Sequence, residues 1–147
     1  MHGQKDLFVV LKCISILDPE IGYVQGLGYM VAILLTYLDK EDALNIMLQI
    51  VNSSRFRMRQ FYLPGFPMLR KTFYVHLSLL RKHMSKLFYH LLENFMSPIL
   101  YATQWFMTLF SNNIPLPLTL RIWDIFFVEG FWVLHSVALA ILKINEK

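Results

Sequence analysis

The sequence predicts an all-α domain, and three observations carry that prediction. Apolar residues recur at steps of three and four along most of the chain, and no stretch sustains a two-residue alternation. Proline, glycine and asparagine clusters interrupt the pattern at helix-length intervals. The spacing leads to an expectation of about seven to nine helices.

Leu7–Leu17 forms the first helix and closes at Asp18-Pro19, because a residue before proline is pushed out of helical geometry. A loop through Gly22 leads to Tyr23–Gly26. Leu27–Leu38 then carries apolar residues on all faces and is expected to be buried. Asp39 is a credible N-cap, with Asp42 three positions on, for a helix reaching about Val51. Asn52–Gln60 is polar and leaves its conformation open, and Pro64-Gly65-Phe66-Pro67 is a turn. Phe73, Leu77, Leu80, Met84, Leu87, Leu91 and Phe95 draw one apolar stripe along a long helical stretch. After Pro98, Leu100–Phe110 is expected to be a buried helix around Trp105. Pro115 and Pro117 introduce another from about Pro117 to Val128, stopped by Gly130, and Phe131–Lys143 is the last.

Composition narrows the classes. At 147 residues the chain is one domain or part of one, and its 56% apolar content with only 16% charged residues exceeds that of an ordinary soluble domain. A membrane protein and a helical core cut from something larger compete as explanations. Ile21–Leu38 has 18 residues without a charge and Asn94–Leu120 has 27. Glycines occupy the first half of the former and Pro98, Asn112, Asn113, Pro115 and Pro117 break the latter, so neither supplies the ~20 apolar residues of a span. The net charge of +4 is spread along the chain, apart from Arg55-Phe56-Arg57-Met58-Arg59. That cluster reads as a solvated edge or a surface for an acidic protein partner, and no nucleic-acid module surrounds it. Cys13 is the only cysteine, so no internal disulfide is possible and a reducing compartment fits. The N-terminus lacks the pattern of a signal peptide.

Few catalytic patterns survive inspection. No phosphate-binding P-loop is present, Gly26-Leu27-Gly28 lacks the third glycine and preceding strand of a dinucleotide loop, and no Gly-x-Ser-x-Gly elbow occurs. His76, His83 and His90 stand seven apart. On a straight helix that separates neighbours by about 10.5 Å, too far to share one metal ion, so they are expected on the border of the apolar stripe.

Two stretches remain: Gly22-Tyr23-Val24-Gln25-Gly26, and a second running from Trp105-Phe106-Met107-Thr108-Leu109-Phe110 to Arg121-Ile122-Trp123-Asp124-Ile125-Phe126-Phe127 and Glu129-Gly130. In this order the pair resembles the TBC domain, a helical module that accelerates GTP hydrolysis by small GTPases of the Rab type. The resemblance implies a multi-helix orthogonal array and covers Leu7 to about Asn145. It also implies a break of the long striped helix near His83–Ser85, where Ser85 is available as a cap. It makes Gln25 a catalytic glutamine finger that positions the hydrolytic water in the partner's site. Chemistry agrees, because an amide donates to one partner while accepting from another, whereas a carboxylate would add repulsion beside phosphate. Gly26 and Gly22 let the loop lie close against a partner, and Tyr23 is expected to brace it by packing its ring into the core. Read without the resemblance, Gln25 is a polar residue in an exposed turn.

Trp105 and Trp123 are, in the resembled pattern, core aromatics. Arg121 and Asp124 are either support for the catalytic loop or an exposed i,i+3 pair without functional meaning. None of the six arginines sits in the Ile-x-x-Asp-x-x-Arg motif that supplies the family's arginine finger. The chain is therefore expected to be a single partial TBC domain over 1–147, without that motif and without the C-terminal helices, exposing apolar surface at its ends and activating weakly by itself. The implied partner is a Rab-type GTPase that itself carries GTP and Mg²⁺. No cofactor or metal of the chain's own is expected, nor nucleic acid, nor a transmembrane segment. The implied location is cytoplasmic, with peripheral membrane association through the partner. A non-catalytic binding or scaffold module of the same fold and a membrane-embedded bundle are the alternatives.

Overall fold

The computed structural model describes residues 2–146, and among them every regular element is helical. In chain order these are α1 (His2–Leu17), α2 (Leu27–Tyr37), α3 (Lys40–Asn52), α4 (Arg59–Tyr62) and α5 (Pro67–His83). They are followed by α6 (Ser85–Glu93), α7 (Pro98–Tyr101), α8 (Thr103–Met107), α9 (Leu116–Glu129) and α10 (Val133–Asn145). Ten helices among the described residues exceed the expected seven to nine. Part of the open 52–60 segment joins a short α4, and the predicted Leu100–Phe110 helix is two short pieces, α7 and α8. At the junction of the two pieces Thr103 Oγ1 donates to the Ile99 carbonyl at 2.7 Å, and Thr108 Oγ1 donates to that of Gln104 at 2.6 Å just beyond α8. Such bonds compete with the helical ladder.

Other boundaries follow local chemistry. Asp39 caps α3 by accepting the Asp42 amide at 2.9 Å. The long stripe breaks at Met84, whose φ of −142° is not helical, and Met84 rather than Ser85 occupies the cap position of α6 with no side-chain cap bond. Gly130 ends α9 with φ 84°.

α1 packs against α2 and α3, α5 against α4, α6 and α7, and α9 against α10. Phe61, Phe106, Phe110, Phe126 and Phe131 are fully buried where these layers meet, together with Leu27, Met30, Met47 and Ile50. Each such side chain contributes roughly 1.5–3 kcal/mol by leaving water. α2 is not buried on all faces as its sequence suggested. It turns Leu27, Met30, Val31 and Leu34 inward and leaves Tyr29 and Tyr37 outside. Likewise the long stripe is buried at Leu80 and Met84 but ends on Phe95 at 89% exposure, because α6 buries no residue. The outer face of α1 exposes Phe8 and Ile16, and Ile144 is exposed near the end of α10. Of the three spaced histidines, His83 and His90 are exposed and His76 is buried inside the core rather than on its border. Among the described residues no helix is long and apolar enough to cross a membrane.

Gly130 illustrates a requirement set by packing. A Cβ there would lie 3.0 Å from the Arg55 carbonyl oxygen, which also accepts the Phe131 amide at 3.4 Å. With its positive φ the position penalises any side chain twice. Gly130→Ala is expected to cost about 1–3 kcal/mol, read as a lower urea midpoint at unchanged slope.

Candidate functional site

The Gly22–Gly26 loop is built from both of its ends. At its start the Asp18 carbonyl accepts the Gly22 amide at 2.8 Å, and Asp18 Oδ1 accepts the Ile21 amide at 3.4 Å, closing a turn that Gly22 completes with φ 61°. Arg59 clamps this turn from α4. Its guanidinium is bonded through both terminal nitrogens to the Asp18 carboxylate, reaches Glu20 Oε2 at 2.5 Å, and donates to Asn52 Oδ1 at 2.9 Å.

At the other end Gly26 begins α2 with φ 117°, a conformation that L side chains rarely adopt. A Cβ there would meet Thr108 Cγ2 at 3.2 Å and the Met107 carbonyl at 3.8 Å. The two sequence motifs, far apart along the chain, therefore touch at this glycine. The Met107–Phe110 turn beneath it is held by two buried donors: Tyr62 Oη gives to the Met107 carbonyl at 2.8 Å and Trp123 Nε1 to that of Leu109 at 2.9 Å. These bonds secure a segment in which Leu109 and Phe110 have φ of 49° and 63°. Burial raises the Tyr62 hydroxyl well above its ordinary pKa, so it remains a donor throughout the working range. Trp105 is half-buried and stacks on Phe110 with centroids 5.9 Å apart.

Between these anchors Gln25 is exposed, and among the described residues its amide has no hydrogen-bond partner. It lines an open groove of about 600 Å³, with Leu7 of α1, Tyr29 and Ile33 of α2, and Ser111 from the loop before α9. Tyr23 lines the same groove at 63% exposure and does not pack into the core as expected. The Gly26–Leu27 backbone enters α2 directly, and Leu27 takes the inward position instead.

Trp123 is buried, as a core aromatic should be. Arg121 and Asp124 pair with each other at 3.5 Å on the outside of α9, both largely exposed, and neither bonds to the Gly22–Gly26 loop. Such a pair contributes at most about 0.5 kcal/mol. The arginine cluster is less solvated than its sequence implied: Arg55 donates to the Val128 carbonyl, Arg59 is held by carboxylates, and Arg57 lies 5.2 Å over the Trp132 ring.

Thr108, Tyr62 and Arg59 escaped the sequence reading as parts of this site. Thr108 lies within the second quoted stretch, so its contact with Gly26 was within reach. Tyr62 and Arg59 had no local signature. Arg59 holds the Asp18 carboxyl below its ordinary range, chiefly through their hydrogen bonds. A depressed carboxyl stabilises the fold above its ordinary pKa, and that contribution is lost as pH falls through the lowered value. Arg59→Ala is expected to cost about 1–3 kcal/mol at pH 7 by leaving Asp18 unpaired. Urea titrations should show the gap to the parent closing below about pH 4, and Arg59→Lys should not restore it, since lysine lacks the fork that grips two carboxylates.

Comparison with known proteins supplies an independent line. The Rab-GTPase-TBC domain profile matches residues 1–147. The chain is 33% identical to the human Ecotropic viral integration site 5 protein homolog, over 98% of this chain and 18% of that protein. It is 38% identical to mouse TBC1 domain family member 4, over 98% of this chain and 11% of that protein. With GTPase-activating protein GYP5 of Saccharomyces cerevisiae it shares 36% identity, over 98% of this chain and 16% of the relative. The chain thus spans less than a fifth of the length of these relatives.

Proposed function

Because the chain belongs to the Rab-GTPase-TBC domain family, we propose that it activates a Rab-type small GTPase, with Gln25 acting in trans as the residue that orients the hydrolytic water. The observation that carries this reading is the presentation of Gln25: a side-chain amide without a partner among the described residues, on an exposed loop anchored at both ends, beside an open groove. Pre-anchored donors and acceptors lose little freedom when they engage a reacting group, which is where positional catalysis gets its energy. GTP and Mg²⁺ belong to the partner, and this chain contributes only the loop and its surroundings. Tyr23 and Tyr29 supply large, partly apolar contact area around the glutamine, the residue type that anchors protein interfaces.

The same chemistry limits the activity. An amide carries no positive charge to offset that gathering on the transferring phosphoryl oxygens, a task worth about 10³–10⁵ in rate when an arginine performs it. No Ile-x-x-Asp-x-x-Arg stands in these 147 residues. Arg55 and Arg59 are occupied by other contacts, so neither substitutes without breaking them. The 147-residue chain should accelerate hydrolysis by about 10–10²-fold at most. Trp105, Trp123 and Gly26 act by holding the Met107–Phe110 turn and the loop in register, while Arg121 and Asp124 face a partner or solvent.

The test is single-turnover GTP hydrolysis by a panel of Rab-type proteins with and without an excess of the chain. Acceleration of at least one partner supports the reading. Saturable binding to GTP-loaded partners with no acceleration of any would instead favour a non-catalytic module of the same fold.

A further inference from the structure

We propose that the groove between α3, α4, α5 and the start of α10 is a docking site for an acidic protein segment carrying an apolar anchor. This groove measures about 930 Å³ and shares no lining residue with the one beside Gln25, so the proposal does not depend on the GTPase reading. Its volume lies at the upper end of ligand pockets and is too large for a single small anion.

Two features identify the occupant. Trp132, 55% exposed, and the half-buried Val75 offer apolar surface to the groove, above a floor formed by the buried Val51, Met68 and Phe131. Four cations also line it, Arg57, Arg59, Arg70 and Lys71, with no carboxylate among the lining residues. Arg59 is already neutralised by Asp18 and Glu20. Arg57, Arg70 and Lys71 are exposed and have no carboxylate partner among the described residues. Three unbalanced cations around an apolar lining attract acidic residues flanking an aliphatic or aromatic side chain. A phosphorylated headgroup would satisfy the cations but leave the apolar lining unused.

Further details fit a recognition surface. Arg57 has φ 56° and lies over the Trp132 ring, which sets its guanidinium beside the indole in a backbone conformation costly for a side-chain-bearing residue. The Phe131 amide, donating to the Arg55 carbonyl at 3.4 Å, ties the arginine-bearing loop to the segment before α10.

The experiment selects a random peptide library on the immobilised chain and counter-selects on the triple variant Arg57→Glu, Arg70→Glu, Lys71→Glu. All three side chains are exposed, and circular dichroism and thermal melting check that the variant keeps the fold. Enriched peptides should place several Asp or Glu residues around an apolar one. Their affinity should fall at least about 10-fold for the triple variant and decline with salt. Trp132→Ala should weaken them as well. Converting the acidic residues of an enriched peptide to Lys should abolish binding to the parent and restore it to the triple variant, an exchange that a merely structural role for these cations would not produce. Enrichment without acidic bias, or affinity indifferent to the charge reversal, would overturn the proposal. So would phosphatidylcholine vesicles doped with phosphatidylinositol bisphosphate that bind through the same three cations more tightly than any selected peptide.

Discussion

Gln25→Ala should return GTP hydrolysis by the responsive Rab-type partner to its intrinsic rate, removing the whole of the roughly 10–10²-fold acceleration expected of this chain. Binding to the GTP-loaded partner should change by no more than a few-fold, because a water-orienting contact is made in the transition state rather than in the ground-state complex. Gln25→Glu should be as inactive as the alanine variant and should bind more weakly, since its carboxylate approaches phosphate oxygens of the same sign. Single-turnover rates at saturating chain, with affinities measured on a non-hydrolysable GTP analogue, separate the two effects. Acceleration that survives Gln25→Ala would remove the glutamine from the mechanism and transfer attention to the groove's tyrosines. The loop itself should tolerate both changes, because its anchors are Asp18, Arg59 and the Gly26–Thr108 contact rather than the glutamine side chain.

Acid should destabilise the fold well before its carboxylates protonate. His76 and His135 are both buried, and each approaches the ring of Phe106, with centroids 6.0 and 5.3 Å away. His76 Nε2 meets Tyr101 Oη at 3.1 Å, whereas neither ring nitrogen of His135 has a partner among the described residues. Burial lowers both to about 4, and for His76 the neighbouring His135 adds to the effect. The hydroxyl facing His76 supplies no compensating charge, since burial pushes Tyr101 up to about 12.

Between pH 6.5 and 4 the unfolded chain therefore binds protons that the folded chain refuses, and stability falls as pH falls. The loss amounts to about 2 kcal/mol per histidine at pH 5, or about 4 kcal/mol for the pair. Urea titrations at pH 7.5, 6.5, 5.5 and 5 would measure this slope. A His76→Gln, His135→Phe variant, which retains a partner for Tyr101 and fills the aromatic site, should flatten it. An unchanged slope in that variant would assign acid sensitivity elsewhere. Asp18 adds a further loss only at lower pH, because its carboxyl is already depressed by Arg59.

The sequence by itself determined the helical class, most of the helix boundaries and the loop that displays Gln25. Each of these depends on signals that act within a turn or two: Asp18-Pro19 stops α1, Asp39 caps α3 through the Asp42 amide, and Gly130 stops α9 with a positive φ. The two quoted stretches were also legible as sequence, and the family to which the chain belongs could be named from them. Burial and long-range partnership were decided only by the tertiary structure. Periodicity marks a face as apolar without saying whether another element arrives to cover it. Thus α2 looked buried all round but exposes Tyr29, the striped helix loses its cover after Met84, and Tyr23 lies open where a core contact was expected. His76 went the other way, because α7 and α8 bring Tyr101 and Phe106 against it. Arg59 meets Asp18 across 41 positions, and Tyr62 meets the Met107 carbonyl across 45. No local pattern encodes such distances. They are satisfied only when the whole array closes, and that closure brings Gly26 against Thr108 and presents Gln25 at the surface.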